Sequence, residues 1–136
     1  MKLEIKHLAP YLPYELKYRD MLYRTDNYLH VLNPLSLSFN RDHIHNIKPI
    51  LRPLSGLTKE IEVNGEKFVP FDILYDGYKN SPNLNYDYFC LLQIKSIDYK
   101  IKKGEISIGM YSSLIEWHFD VFGLIEKGLA IDINNL

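Results

Sequence analysis

Tyr111, Leu114, Ile115, His118 and Phe122 recur at helical spacing, run into Gly123, and are followed by the largely apolar block Leu124-Ile125-Glu126-Lys127-Gly128-Leu129-Ala130-Ile131. An apolar stripe at the 3.6-residue period must be buried against another layer, so this block constrains the fold more than any other stretch of the chain. It predicts a helix that begins between Ser107 and Tyr111 and continues to Phe122. The segment from Leu124 to Ile133 is expected to tuck back onto the same core.

The covering layer is sought upstream. Leu8-Ala9-Pro10-Tyr11-Leu12-Pro13-Tyr14 has two prolines, each fixing φ and holding the preceding residue extended, which predicts a helix-free lead-in. Leu16, Tyr18 and Leu22 share one parity against Lys17 and Arg19, Thr25-Asp26-Asn27 supplies turn chemistry, and Tyr28-Leu29-His30-Val31-Leu32 reads as a return strand. Leu35, Leu37 and Phe39 alternate with Ser36, Ser38 and Asn40, the pattern of a half-buried strand behind Pro34. Residues 40 to 46 form a polar loop, and Pro49 and Pro53 keep 47 to 54 extended.

Ser55 is a good N-cap, with Leu54, Leu57 and Ile61 on one helical face, predicting a short helix over 56 to 62. Asn64-Gly65 suits a helix end or a type I′ hairpin turn, and the cap ahead of it favours the helix end. Pro70 opens a second short helix through Tyr75. Residues 77 to 87 form the clearest loop, and Tyr88 to Ile101 reads as a strand, with Ile97, Tyr99 and Ile101 alternating against Asp98, Lys100 and Lys102. The resulting expectation is a single α+β domain over residues 1–136, in which a small antiparallel sheet from the 15 to 39 region and the 88 to 101 strand packs against a C-terminal helix.

Composition narrows the function classes. The chain has 136 residues, 46% hydrophobic and 24% charged, as in an ordinary soluble domain, with a net charge of −1 that disfavours a DNA-coating role and makes nucleic acid a poor partner. The charge is uneven: residues 1 to 53 carry eight Lys/Arg against five Asp/Glu, while 54 to 136 carry eight against twelve. The lone Cys90 lies in an apolar run and fits a reducing compartment. Neither an N-terminal signal-like run nor an apolar stretch long enough to span a membrane is seen, so a cytoplasmic setting is expected. Eleven tyrosines suit half-buried strands and contact surfaces alike.

Among residues that could carry chemistry, His43 and His45 lie two apart without a third ligand nearby, so a surface loop is the better reading than a metal pair. His118 sits on the apolar stripe and Asp120 is rotated about 200° from it on a helix, so the two cannot share a proton or an ion, and His118 is expected to be a satisfied, half-buried histidine. Glu60, Glu62, Glu66, Asp72 and Asp76 read as solvated faces, and Lys100, Lys102 and Lys103 beside Tyr99 as guards of a strand edge. The sequence contains no phosphate loop, nucleophile elbow or dinucleotide fingerprint, and no catalytic, cofactor-binding or metal-binding residue is assigned. Trp117 and Tyr111 are the candidate partner-binding residues. Arg41, His43, His45 and Arg52 are the candidate set for a small ligand or nucleotide.

Several stretches resemble a family of short, uncharacterised proteins from Bacteroidetes phage and prophage genomes. They are 7 to 14, 48 to 55 with 59 to 61, 65 to 70, and above all Glu116-Trp117-His118-Phe119-Asp120-Val121-Phe122-Gly123 through Asn134. The resemblance covers about half the chain and carries no activity, cofactor or catalytic residue with it. It implies a phage-related accessory role. Together with the absence of a catalytic motif in the sequence, it leads to the expectation of a non-enzymatic module that binds a host or phage protein, with small-ligand or nucleotide binding through 41 to 52 as the alternative.

Overall fold

The computed structural model describes residues 1–22, 28–76 and 81–136, and the side chain of Phe39 is left aside. The fold is α+β, as expected from the sequence. The chain separates into two compact units, Met1–Arg52 with Ser112–Leu136, and Pro53–Tyr111.

The first unit is built on a four-stranded sheet. β1 (Lys17–Asp20) pairs antiparallel with β2 (His30–Val31) and with β3 (Ile47–Leu51), and β6 (Ile131–Asp132) joins β3 in parallel, giving the order β2-β1-β3-β6. The hairpin expected over 16 to 32 is therefore present, while its Thr25-Asp26-Asn27 turn lies outside the described residues. One face of β1 and β3 is apolar, with Tyr18, Ile47 and Leu51 buried, and Tyr18 stacks on His30 across the pair with ring centroids 5.2 Å apart. The return of the C-terminal segment is realised as β6, in register Ile50 with Ile131 and Leu51 with Asp132.

The helices of this unit correct two expectations. The lead-in is helical, with α1 (Ile5–Leu8) running into a 3-10 segment, Ala9–Tyr14. Pro10 occupies its first turn, where a missing N–H costs nothing, and Leu8 and Tyr11 are fully buried. The alternating run 35 to 39 is α2 (Pro34–Phe39) rather than a strand. Asn33 Oδ1 accepts from the Ser36 N–H at 2.8 Å while Ser36 Oγ accepts from the Asn33 N–H at 2.9 Å, a reciprocal cap that outweighs the alternation.

In the second unit the expected helix over 56 to 62 is a 3-10 turn, Leu54–Thr58, followed by the hairpin β4 (Ile61–Val63) and β5 (Glu66–Phe68). Asn64 and Gly65 have φ of 53° and 84° and join Val63 directly to Glu66, so the dipeptide is the two-residue hairpin turn and not a helix end. Pro70 does open a helix, α3 (Pro70–Leu74).

The largest correction is α4 (Tyr86–Lys103), which replaces the predicted strand over 88 to 101. Asn85 caps its N-terminus by accepting from the Tyr88 N–H at 3.2 Å. Gly104, at φ 69°, closes it: Gly104 N–H donates to Ile101 O at 3.1 Å and Glu105 N–H to Lys100 O at 2.8 Å, a Schellman pair. Lys100, Lys102 and Lys103 therefore lie at the electronegative end of a helix, not on a strand edge. α5 (Ile108–Glu116) follows, shorter than the sequence stripe implied.

Candidate functional site

The densest polar construction in the first unit lies where α5 ends. Helical hydrogen bonding persists to Trp117, whose N–H donates to Ser113 O at 3.0 Å. His118 then takes the left-handed conformation, φ 64°. Its N–H donates to Ile115 O at 3.0 Å and the Phe119 N–H to Leu114 O at 2.8 Å, so a histidine fills the position that glycine usually occupies in this motif. The apolar stripe stops there: Leu114 and Ile115 are buried on α5, whereas His118 and Phe122 lie beyond it.

The reversed chain is gripped from several sides. His118 Nε2 lies 2.6 Å from the Tyr14 carbonyl, and because a carbonyl only accepts, that nitrogen carries the proton. Burial pushes the His118 pKa down, partly offset by the hydrogen bond to Tyr14, with Arg52 and Lys17 adding a smaller repulsion. The buried Tyr11 hydroxyl donates to Phe119 O at 2.6 Å. Arg52 extends β3 by one bridge to Phe119, its N–H donating to His118 O at 2.9 Å and its carbonyl accepting from Asp120 N–H at 2.8 Å. Arg52 Nε donates to Trp117 O at 3.0 Å. The Asp120 carboxylate accepts from the Leu124 and Ile125 N–H groups, both at 2.9 Å, and starts the next turn. His7 Nδ1 accepts from the Glu4 N–H at 2.9 Å, and its ring meets Phe122 edge-on at 5.3 Å.

Each of these polar groups is spent on holding backbone. His118 and Asp120 do not meet, though both lie beyond α5 and not on one helix as expected, and His118 is a satisfied, half-buried histidine. The geometry makes this seam a structural latch that joins the residues after α5 to the lead-in and to β3.

The sequence-selected residues fall differently. Trp117 is only 8% exposed, so its indole is not a surface anchor; this corrects that assignment. Tyr111 is half-buried, and desolvation raises its pKa. Arg41, His43 and His45 lie on an exposed 3-10 turn, Arg41–Asn46, with the two imidazoles 6.5 Å apart. Arg52 stands at the far end of β3, roughly 20 Å along an extended strand from that turn, and its side chain is engaged at Trp117. The four residues do not converge as a ligand site. Among the described residues, no group of three or more His, Cys, Asp or Glu is arranged to hold a metal ion. Asp72 accepts from Tyr86 at 2.5 Å, and Glu60, Glu62 and Glu66 are exposed.

What the sequence reading missed is the surface of α4. At 100° per residue, Cys90 and Ile97 point one way, with Tyr86, Phe89, Gln93, Ile94 and Ile101 beside them. Phe71, Tyr75, Tyr86 and Phe89 form an aromatic cluster with centroids 4.6 to 5.9 Å apart. Burial pushes the Cys90 thiol and the Tyr86 phenol up, so both stay protonated at neutral pH. The opposite face carries Tyr88, Leu91, Leu92 and Tyr99, exposed by 60%, 51%, 44% and 58%. Lys95 lies among them, Lys103 sits 5.8 Å from the centre of the Tyr99 ring, and Lys102 pairs with Asp98 at 3.0 Å. Apolar residues on both faces hide the helical period, and only the i, i+3, i+4 spacing of Tyr88, Leu91 and Leu92 signals the outer stripe.

None of the described helices is long and apolar enough to cross a membrane. Comparison with family models, with curated proteins and with solved structures gives no match.

Proposed function

We propose that this chain is a protein-interaction module of the phage accessory kind, and that a host or phage protein docks an apolar, acidic segment on the exposed face of α4. The observation that carries the reading is the stripe Tyr88, Leu91, Leu92 and Tyr99 on one side of a capped helix whose other side already has its own packing. These four side chains expose on the order of 400 Å², the scale at which an apolar patch on a monomer marks a contact site. Tyrosine supplies large contact area at low entropic cost. Lys95 and Lys103 flank the stripe, and that charge selects an acidic partner over a basic one. The resemblance to phage and prophage proteins supports the accessory setting.

A photo-crosslinking residue in place of Leu92 tests the reading in cells. Adducts to a discrete protein are expected, lost in Leu91→Asp at an unchanged melting temperature, and an acidic amphipathic peptide from the captured protein should bind with an affinity that falls with salt. Adducts that persist in Leu91→Asp, or that join only two copies of this chain, refute it.

A further inference from the structure

A second surface feature lies on the sheet of the first unit and is independent of α4. The β1–β3 register sets Arg19 directly opposite Lys48, and Lys17 is two residues from Arg19 on the same side of the same strand. Three cationic side chains thus share one face of two neighbouring strands. Lys17 is exposed, and Arg19 and Lys48 are half-buried. Among the described residues none of the three has a side-chain hydrogen bond or ion pair, and Arg19 Nε is buried without a hydrogen-bond partner. Asp20, the neighbouring acid, alternates to the opposite face and accepts from the Leu22 N–H at 3.0 Å.

Such an arrangement is costly. Like charges directly opposite on adjacent strands repel, and a buried guanidinium N–H without an acceptor forfeits its hydration. Proteins usually place a carboxylate in such a triangle. An acceptor with several oxygens and more than one negative charge relieves that repulsion, and the terminal N–H groups of a guanidinium flanked by two ammonium groups match a phosphoryl group in both geometry and charge.

We infer that Lys17, Arg19 and Lys48 form a binding site for a phosphate-bearing small molecule, a nucleotide or a free polyphosphate, on the face of the sheet opposite Tyr18, Ile47 and Leu51. Arg19 supplies the directional hydrogen bonds and the lysines supply charge. The Arg41–Asn46 turn enters β3 just before Lys48, so the 41 to 52 segment contributes Lys48 to this site, while the candidate residues Arg41, His43, His45 and Arg52 are not part of it.

The test is thermal unfolding and titration calorimetry with sodium pyrophosphate, against sodium chloride of equal ionic strength. A saturable rise in melting temperature beyond the chloride control is expected, with affinity about ten-fold weaker in Arg19→Met, one lost charge-assisted contact. Without phosphate, Arg19→Met should melt at or above the wild-type temperature, because the orphaned N–H is gone. If that variant does not fold, Lys48→Gln replaces it with the same expectation for affinity. A nucleoside triphosphate that binds more tightly than pyrophosphate identifies a nucleotide as the ligand, and equal affinities identify free polyphosphate. No rise over chloride, an equal rise in the variants, or binding of a single-stranded oligonucleotide without binding of pyrophosphate overturns the inference.

Discussion

The left-handed histidine at the end of α5 allows a quantitative test. Replacing His118 by Ala removes the hydrogen bond to Tyr14 O and leaves that carbonyl without its partner, while the backbone strain at φ 64° stays. A lost hydrogen bond of this kind, with some packing, is worth about 2 kcal/mol. His118→Gly loses the same bond but relieves a left-handed conformation that costs a residue with a β-carbon about 1 kcal/mol, so its net loss is about 1 kcal/mol. The stability order is therefore wild type, then Gly, then Ala. Urea unfolding followed through Trp117, the single tryptophan and a buried one, reads both differences, with circular dichroism as a second probe. At this size each kcal/mol corresponds to about 4 °C in melting temperature. An Ala variant as stable as the Gly variant would refute the strain, and an Ala variant within about 0.5 kcal/mol of wild type would refute the contribution of the Tyr14 contact.

Other outcomes follow from the same geometry. Burial lowers the pKa of both His7 and His118, and Lys6 adds to the effect at His7, so the unfolded chain binds more protons than the folded one below the ordinary imidazole pKa of about 6.5. Stability is then full above that pH and falls as pH drops through it toward the lowered folded values; urea midpoints from pH 7.5 to 5.0 check this, and His118→Ala should flatten the slope. Gly104→Ala meets no atom within 4 Å but forces a left-handed alanine, and is expected to cost about 1 kcal/mol in a urea melt. Tyr11→Phe deletes the buried hydroxyl donor to Phe119 O and should cost about 1 to 2 kcal/mol, with no change in the affinity of the partner segment for α4.

Legibility varied with how local the deciding interaction was. The 16 to 32 hairpin, the extended 47 to 51 run and the Pro70 helix could be read because alternation or proline chemistry acts within a few residues. α2 was misread since Leu35, Leu37 and Phe39 alternate as in a strand, although the decisive signal, Asn33-Pro34 followed by Ser36, was present as capping chemistry. α4 was misread because apolar residues on its exposed face blur the period of its buried one. Asn64-Gly65 suits two turns; the Ser55 cap favours the helix end, and pairing between β4 and β5 overturns it. The site residues were the least legible. Arg19 and Lys48 become neighbours only through strand register, and Arg52 turns structural only because the chain after α5 returns to it.

That return has a consequence for how the protein is made. The first unit is discontinuous: β3 must wait for β6 and for the residues after α5, and Pro53–Tyr111 intervenes. At ordinary elongation rates, residues 52 to 130, which separate β3 from β6, take about 4 to 16 s to translate. Throughout that interval the edge of β3 that will receive β6 is an open template for any strand, and closing it then requires bringing together ends far apart in sequence, which makes this the slow step of folding. The chain is therefore most exposed to misassembly while still attached to the ribosome, and the intervening unit, whose strand hairpin and helices are local in sequence, can fold first and shorten the gap.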